Sequence, residues 1–146
     1  MSDTLTIAPL AAADTDAVVA LWHRCGLTRP WNDPAGDIAF AMRGSNSTVL
    51  VARDAGAVTG SVMTGHDGHR GWVYYVAVDP DARRRGLGRR IMVAAETWLA
   101  ERGVAKAELL IRAENAAVQR FYDALGYTVE PRIVMSRWLD GRAPTS

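Results

Sequence analysis

Apolar positions along the chain change period several times, and each change marks a new element. Leu5, Ile7 and Leu10 suggest a first strand. Val18, Leu21, Trp22 and Cys25 then recur at i, i+3, i+4 and i+7, the buried stripe of an amphipathic helix, and Gly26 stands where such a helix stops. The segment Thr28 to Pro34 reads as a loop. Asp33 before Pro34 supplies an N-cap with proline in the first turn, opening a short helix through Ile38, Ala41 and Met42. Three β-branched or aromatic runs follow, Thr48 to Ala52, Ala57 to Thr64 and Trp72 to Val78, joined at Asp54-Ala55-Gly56 and His66-Asp67-Gly68. After Asp79-Pro80, Ile91, Met92, Ala95, Trp98 and Leu99 restore the helical period up to Gly103. Glu108 to Arg112 reads as a strand, Ala116 to Leu125 as a helix closed by Gly126, and Ile133 to Leu139 as a last strand. The order is β-α-α-β-β-β-α-β-α-β: an antiparallel meander, then a strand-helix-strand unit expected to pair in parallel.

The 146 residues suit one domain, taken as 1–140, with a short polar tail at 141–146. No linker, repeat or low-complexity tract interrupts it. Hydrophobic residues make up 49% and charged residues 23%, the mixture of a water-soluble globular chain. The apolar runs are too short to cross a bilayer, and Met1 to Leu10 has no basic and apolar leader pattern. With Cys25 as the one cysteine, no internal disulfide framework exists, and a reducing cytoplasm is expected.

A net charge of +1 conceals a local concentration: Arg83, Arg84, Arg85, Arg89 and Arg90 fall within eight positions. They flank Val76-Ala77-Val78-Asp79-Pro80-Asp81-Ala82-Arg83-Arg84-Arg85-Gly86-Leu87-Gly88-Arg89-Arg90, a strand running through a glycine-broken turn into a helix. The first amides of a helix have no internal partner, and its dipole favours an anion there. Gly86 and Gly88 leave room for close approach, and arginine forks suit phosphate. A phosphate or pyrophosphate cradle is expected. Neither G-x-x-x-x-G-K-[ST] nor G-x-G-x-x-G occurs. A solvated basic helix start and a nucleic-acid patch are the alternatives, the latter lacking nearby aromatic platforms.

A second segment, Asn115-Ala116-Ala117-Val118-Gln119-Arg120-Phe121-Tyr122-Asp123-Ala124-Leu125-Gly126-Tyr127, completes the pattern. Together the two resemble the GNAT superfamily of N-acetyltransferases. Val78, Pro80, Arg83, Gly86 and Gly88 match its V-x-P-x-x-[RQ]-x-x-G-x-[GA] motif, and Asn115, Val118, Tyr122, Gly126 and Tyr127 approximate the later one. At closer range, Arg29 to Pro34 and Asp67-Gly68-His69-Arg70-Gly71 are similar to the small bacterial YpeA-type acetyltransferases. The resemblance implies an α/β (α+β) fold: a mixed, mainly antiparallel sheet of six to seven strands flanked by four helices. It also implies acetyl-CoA as donor and a primary amine, small molecule or peptide, as acceptor. No metal, nucleic acid or membrane partner is expected, and the chain would act as a monomer or homodimer.

The resemblance assigns the backbone of Val76, Ala77 and Val78 to the acetyl carbonyl and pantetheine arm. The turn Arg83, Arg84, Arg85, Gly86, Leu87, Gly88 and Arg89 would hold the pyrophosphate. Asn115 would bind the cofactor arm, or simply cap its helix. Tyr122 would serve as general acid toward the departing thiolate, or pack in the core beside Phe121. Arg29, Trp31, Asn32, Asp33 and Tyr74 are candidates for the acceptor side. Where many relatives carry a glutamate base, this chain has Trp72 and Leu110. A relayed base could come from Glu108, Tyr74, Tyr75, Asp67 or His69, or the amine could arrive neutral. A noncatalytic acyl-CoA sensor is the rival function.

Overall fold

A computed structural model describes residues 4–83 and 86–145. Along the chain run β1 (Leu5–Pro9), α1 (Thr15–Arg24), α2 (Pro34–Met42), β2 (Ser47–Asp54), β3 (Ala57–His66), β4 (Gly71–Val78), α3 (Leu87–Glu101), β5 (Ala107–Leu109) and α4 (Ala116–Ala124). Short 3-10 turns sit at Ala12–Asp14 and Pro80–Ala82. The strands form one sheet in the order β1-β2-β3-β4-β5. Its first four strands are antiparallel, and β5 joins β4 in parallel. The class is therefore the expected α/β one. Two compact units divide the chain, Met1–Leu110 with the sheet and α1–α3, and Ile111–Ser146 with α4.

Local chemistry explains the boundaries. Asp54 pairs with Ala57 across the β2–β3 turn, leaving Ala55 and Gly56 at φ 51° and 87°. Two successive positive φ values match the right-handed twist of a two-residue hairpin. Helix α2 begins at Pro34 because the Asp33 carboxylate accepts the Gly36 N–H at 3.1 Å.

On one face of the sheet, Val18, Leu21 and Trp22 of α1 and Ile38 and Ala41 of α2 pack with Val49, Val51 and Ala77. Each large apolar side chain so buried contributes about 1.5–3 kcal/mol. On the other face α3 buries Leu87, Ile91, Met92, Ala95 and Leu99. Glycine in β4 permits that contact: a Cβ on Gly71 would lie 2.7 Å from Leu99 Cδ1.

Two expectations are corrected. Strand β5 is Ala107–Leu109, not 108–112, because its ladder with β4 ends at Val73↔Leu109. No strand forms over 133–139, so the sheet has five strands among the described residues, not six or seven. Ile133 and Met135 are β-formers by composition, yet 90% and 91% exposed. Strand propensity is realised only against a paired neighbour, and that segment has no ladder partner among the described residues.

Candidate active site

Met63 pairs with Tyr74 and Ser61 with Ala77, so three steps along β4 answer two along β3. One residue is extra, which makes a β-bulge. Within it Tyr75 has φ 51°, a left-handed conformation costing a side-chain-bearing residue about 1–2 kcal/mol. Contacts hold it there. The Tyr75 ring lies flat on Trp22, centroids 3.8 Å apart and planes 3° apart. Its hydroxyl donates to Asp37 Oδ2 at 2.9 Å. Trp22 Nε1 donates to Ser61 Oγ at 2.7 Å, and the Ser61 hydroxyl donates back to the Tyr75 carbonyl at 3.4 Å.

The other edge of β4 opens at the same level. Beyond Val73, β4 has no ladder partner on the β5 side among the described residues. Bulges bend a strand and end its pairing, and they recur beside active sites. The result is a strand edge, next to Val76–Val78, able to pair with an extended ligand.

That edge leads into the first turn of α3. Gly86 is the N-cap at φ 68° and, being glycine, offers no side-chain cap. The Arg90 amide reaches back to the Gly86 carbonyl at 3.1 Å. The amides of Leu87, Gly88 and Arg89 precede that first helical bond and lack intrahelical acceptors. A Cβ placed on Gly86 would meet nothing within 4 Å. First-turn donors without helical partners, beside open space at Gly86, fit a diphosphate. Asp79 braces the turn, accepting the Asp81 N–H at 2.9 Å and pairing with Arg24 at 2.9 Å. Arg83, though exposed, folds back along the strand end, its Nε donating to the Val78 carbonyl at 3.4 Å. Arg84 and Arg85 lie outside the described residues.

Comparison with known proteins bears on this geometry. The model of the "Acetyltransferase (GNAT) family" matches residues 15–127. The chain belongs to the GNAT acetyltransferase family. An acetyltransferase of Sodalis glossinidius is 42% identical over 122 residues, covering 84% of this chain and 86% of the relative. One from Yersinia enterocolitica is 40% identical over 127 residues, covering 87% and 90%. Among solved structures, the ribosomal-protein-S18-alanine N-acetyltransferase of Escherichia coli is 30% identical with TM-score 0.72, covering 84% of this chain and 76% of that one. An aminoglycoside N-acetyltransferase in complex with CoA shares the fold at TM-score 0.82 and 16% identity, covering 95% and 97%. This GNAT chain is thus an acetyltransferase.

The expected acceptor-side residues of this GNAT protein separate into two places. Arg29, Trp31, Asn32 and Asp33 share the α1–α2 loop. There Arg29 Nη1 donates to the carbonyls of Gly26 and Thr28, and Asp33 is committed to capping α2. Tyr74, 44% exposed, stands on β4 opposite Met63. The residue that links α2 to the bulge is Asp37, absent from the sequence expectation. Its signal was weak: an acidic residue in a first helical turn ordinarily answers the helix dipole.

The candidate bases fare unequally. Glu108 is 3.5 Å from Arg70 in an ion pair. Asp67 accepts the N–H groups of Arg70 and His69, which hold its carboxyl at about 2 and make it a poor proton acceptor. Burial pushes the Tyr74 phenol up, with the Asp67 charge adding to it. Burial, then the bond to Asp37, pushes Tyr75 up further. Neither phenol is ionised near neutrality. His69 is exposed on the hairpin tip. No group of three or more His, Cys, Asp or Glu side chains comes together for a metal among the described residues. An open depression lined by Pro9, Met42, His66, Trp98 and Arg102 lies at the C-terminal end of α3, away from its first turn.

In the second unit, Asn115 Oδ1 accepts the Val118 N–H at 3.3 Å and caps α4. Its NH2 group remains available, so capping and ligand binding are compatible. Tyr122 is 8% exposed and meets Phe121 and Tyr127 edge-on at 5.0 and 5.7 Å. Burial pushes its phenol up to about 12. It therefore keeps its proton throughout the neutral range.

Proposed function

We propose that residues 1–140 act as a single catalytic domain that moves acetyl from acetyl-CoA to a primary amine by direct attack in a ternary complex. The family match through residues 15–127 runs across both compact units, which supports treating them as one domain. The observation that carries the reading is the bulge at Tyr75, with an open β4 edge leading to an uncapped α3. The pantetheine arm pairs with the backbone of Val76, Ala77 and Val78. The pyrophosphate takes the amides of the turn from Arg83 to Arg89, and the Asn115 amide group meets the arm.

The amine nitrogen attacks the thioester carbonyl, and the Val76 N–H receives the developing oxyanion. The C–S bond then breaks as Tyr122 donates a hydrogen bond to the sulfur. A phenol near 12 gives up its proton reluctantly to a thiolate of ordinary basicity near 8.5, so the hydrogen bond does most of the work. The proton that the amine sheds through water ends on the thiol, and the count balances. No side chain among the five candidates is needed as a base if the amine enters neutral.

Calorimetry with acetyl-CoA, followed by acetyl transfer to a panel of amino acids, diamines and peptides, tests the proposal. Heat of binding together with N-acetylated product supports it; absence of any heat with acetyl-CoA would falsify it. A noncatalytic acyl-CoA sensor is favoured by one observation, the Trp72 and Leu110 at the usual acid positions. That reading gives heat without product over the whole panel.

A further inference from the structure

The Asp37 carboxylate is half engaged. Its Oδ2 takes the Tyr75 hydroxyl, while Oδ1 takes no hydrogen bond from the described residues. Oδ1 is also not sealed in, since no buried side-chain oxygen or nitrogen of the described residues lacks a partner. Nor does a described cation pair with it: Arg24, Arg53, Arg70 and Arg142 pair with other carboxylates. A partly buried carboxylate with no counter-ion is unusual, because the low dielectric around it makes an unpaired charge costly. Helix α2 offsets part of that cost from its N-terminus. The rest is open to a ligand.

Position gives the charge a meaning. Tyr75 adjoins Val76, and Asp37 lies at the hydroxyl end of the Tyr75 side chain. One phenol length therefore separates Asp37 from the strand segment assigned to the acetyl group. That is beyond direct hydrogen-bond reach of a nitrogen attacking at Val76. The two tyrosines are consecutive, yet the bulge sets them on one face: Tyr74 stands opposite Met63, and Met63 and Tyr75 both pack against the α1–α2 core cluster. Trp22 covers one side of the Tyr75 ring and fixes its direction. A carboxylate held by one phenol on one oxygen, with its other oxygen open, can receive an ammonium group.

We infer that Asp37, oriented by the Tyr75 hydroxyl, binds a second positive charge on the acceptor. The acceptor class is then an aliphatic amine with a further cationic group several bonds from the reacting nitrogen, as in a diamine. This rests on the acetyl-transfer reading above and narrows its substrate. Asp37 is a specificity residue here and not the base.

The test is calorimetric titration of the full chain, with CoA present, by 1,4-diaminobutane and by butylamine. Wild-type protein binds the diamine about 10- to 100-fold more tightly, the range of a hydrogen bond to a charged group. In Asp37→Asn the diamine-to-monoamine ratio falls to about one. A merely structural Asp37 would weaken both ligands alike and leave the ratio standing. Should Asp37→Asn lose its near-ultraviolet circular dichroism, Tyr75→Phe keeps the ring and its stack and must still shrink the ratio several-fold. Equal affinities in wild type, or a ratio that survives both substitutions, overturn the inference. Failure of the transfer reading is distinguishable: acetyl-CoA then gives no heat, or heat without N-acetylated product, whereas the diamine-to-monoamine ratio is read by binding alone.

Discussion

Ile91 rests its δ-methyl over Gly60, so that a Cβ on that glycine would lie only 2.4 Å away, and 3.0 Å from the Ala77 carbonyl oxygen. The missing side chain lets α3 lie on β3 directly behind the bulged part of β4. Gly60→Ala should cost about 1–3 kcal/mol by overpacking. Ile91→Val removes the clashing methyl and alone costs about 0.5–1.5 kcal/mol. Urea midpoints of the two single variants and the double should show a favourable coupling, since contacting residues are not additive. Rescue stays partial because the Ala77 carbonyl remains in the way.

Gly86 carries φ 68° with empty space before it. Alanine there is strained by about 1–2 kcal/mol in the free protein and places a methyl where a diphosphate would approach. Gly86→Ala should weaken acetyl-CoA binding by roughly tenfold or more in calorimetry. Gly86→Asn, whose backbone tolerates the left-handed region better, should restore the thermal midpoint without restoring affinity.

Tyr122→Phe should lower kcat by about 10²-fold or more while acetyl-CoA affinity changes little. The neutral phenol is the donating form, and its pKa is pushed up to about 12. Its contribution to kcat therefore holds through neutral and mildly alkaline pH and falls only as pH nears 12. A kcat profile in which the wild type and Tyr122→Phe converge below about pH 10 would remove Tyr122 from the mechanism.

Asp67 ties the tip of the β3–β4 hairpin and has its carboxyl lowered from 3.8 to about 2 by the N–H groups of Arg70 and His69. A lowered folded pKa stabilises above the unfolded value and ceases to as pH falls through the folded one. Thermal midpoints of wild type and Asp67→Ala should differ at neutral pH and approach each other between about pH 4 and 2.

Periodicity and turn chemistry carried most of the first unit. The stripe Val18, Leu21, Trp22 is the buried face of α1, and Asp33-Pro34 opens α2. These signals are local, so a single chain displays them. Strands depend on partners, and there the reading failed: Ile133 to Leu139 has strand composition but no ladder among the described residues, and β5 stops where β4 turns away. The site divided along the same line. The glycine-broken start of α3 and the cap at Asn115 were legible because each is a few consecutive residues. Asp37 was not, because its partner Tyr75 is 38 positions away and meets it only through a bulge that no pattern of apolar residues announces.

The surplus residue in β4 has a consequence for how this chain can change. Removing Tyr75 alone would leave Tyr74 across from Met63 and Ala77 across from Ser61, with Val76 newly opposite Val62. Such a protein would zip into an uninterrupted ladder and lose the left-handed kink. It would also lose the Trp22 stack and the Asp37 hydrogen bond. One residue therefore carries both the interruption of the ladder and the contacts that hold it open.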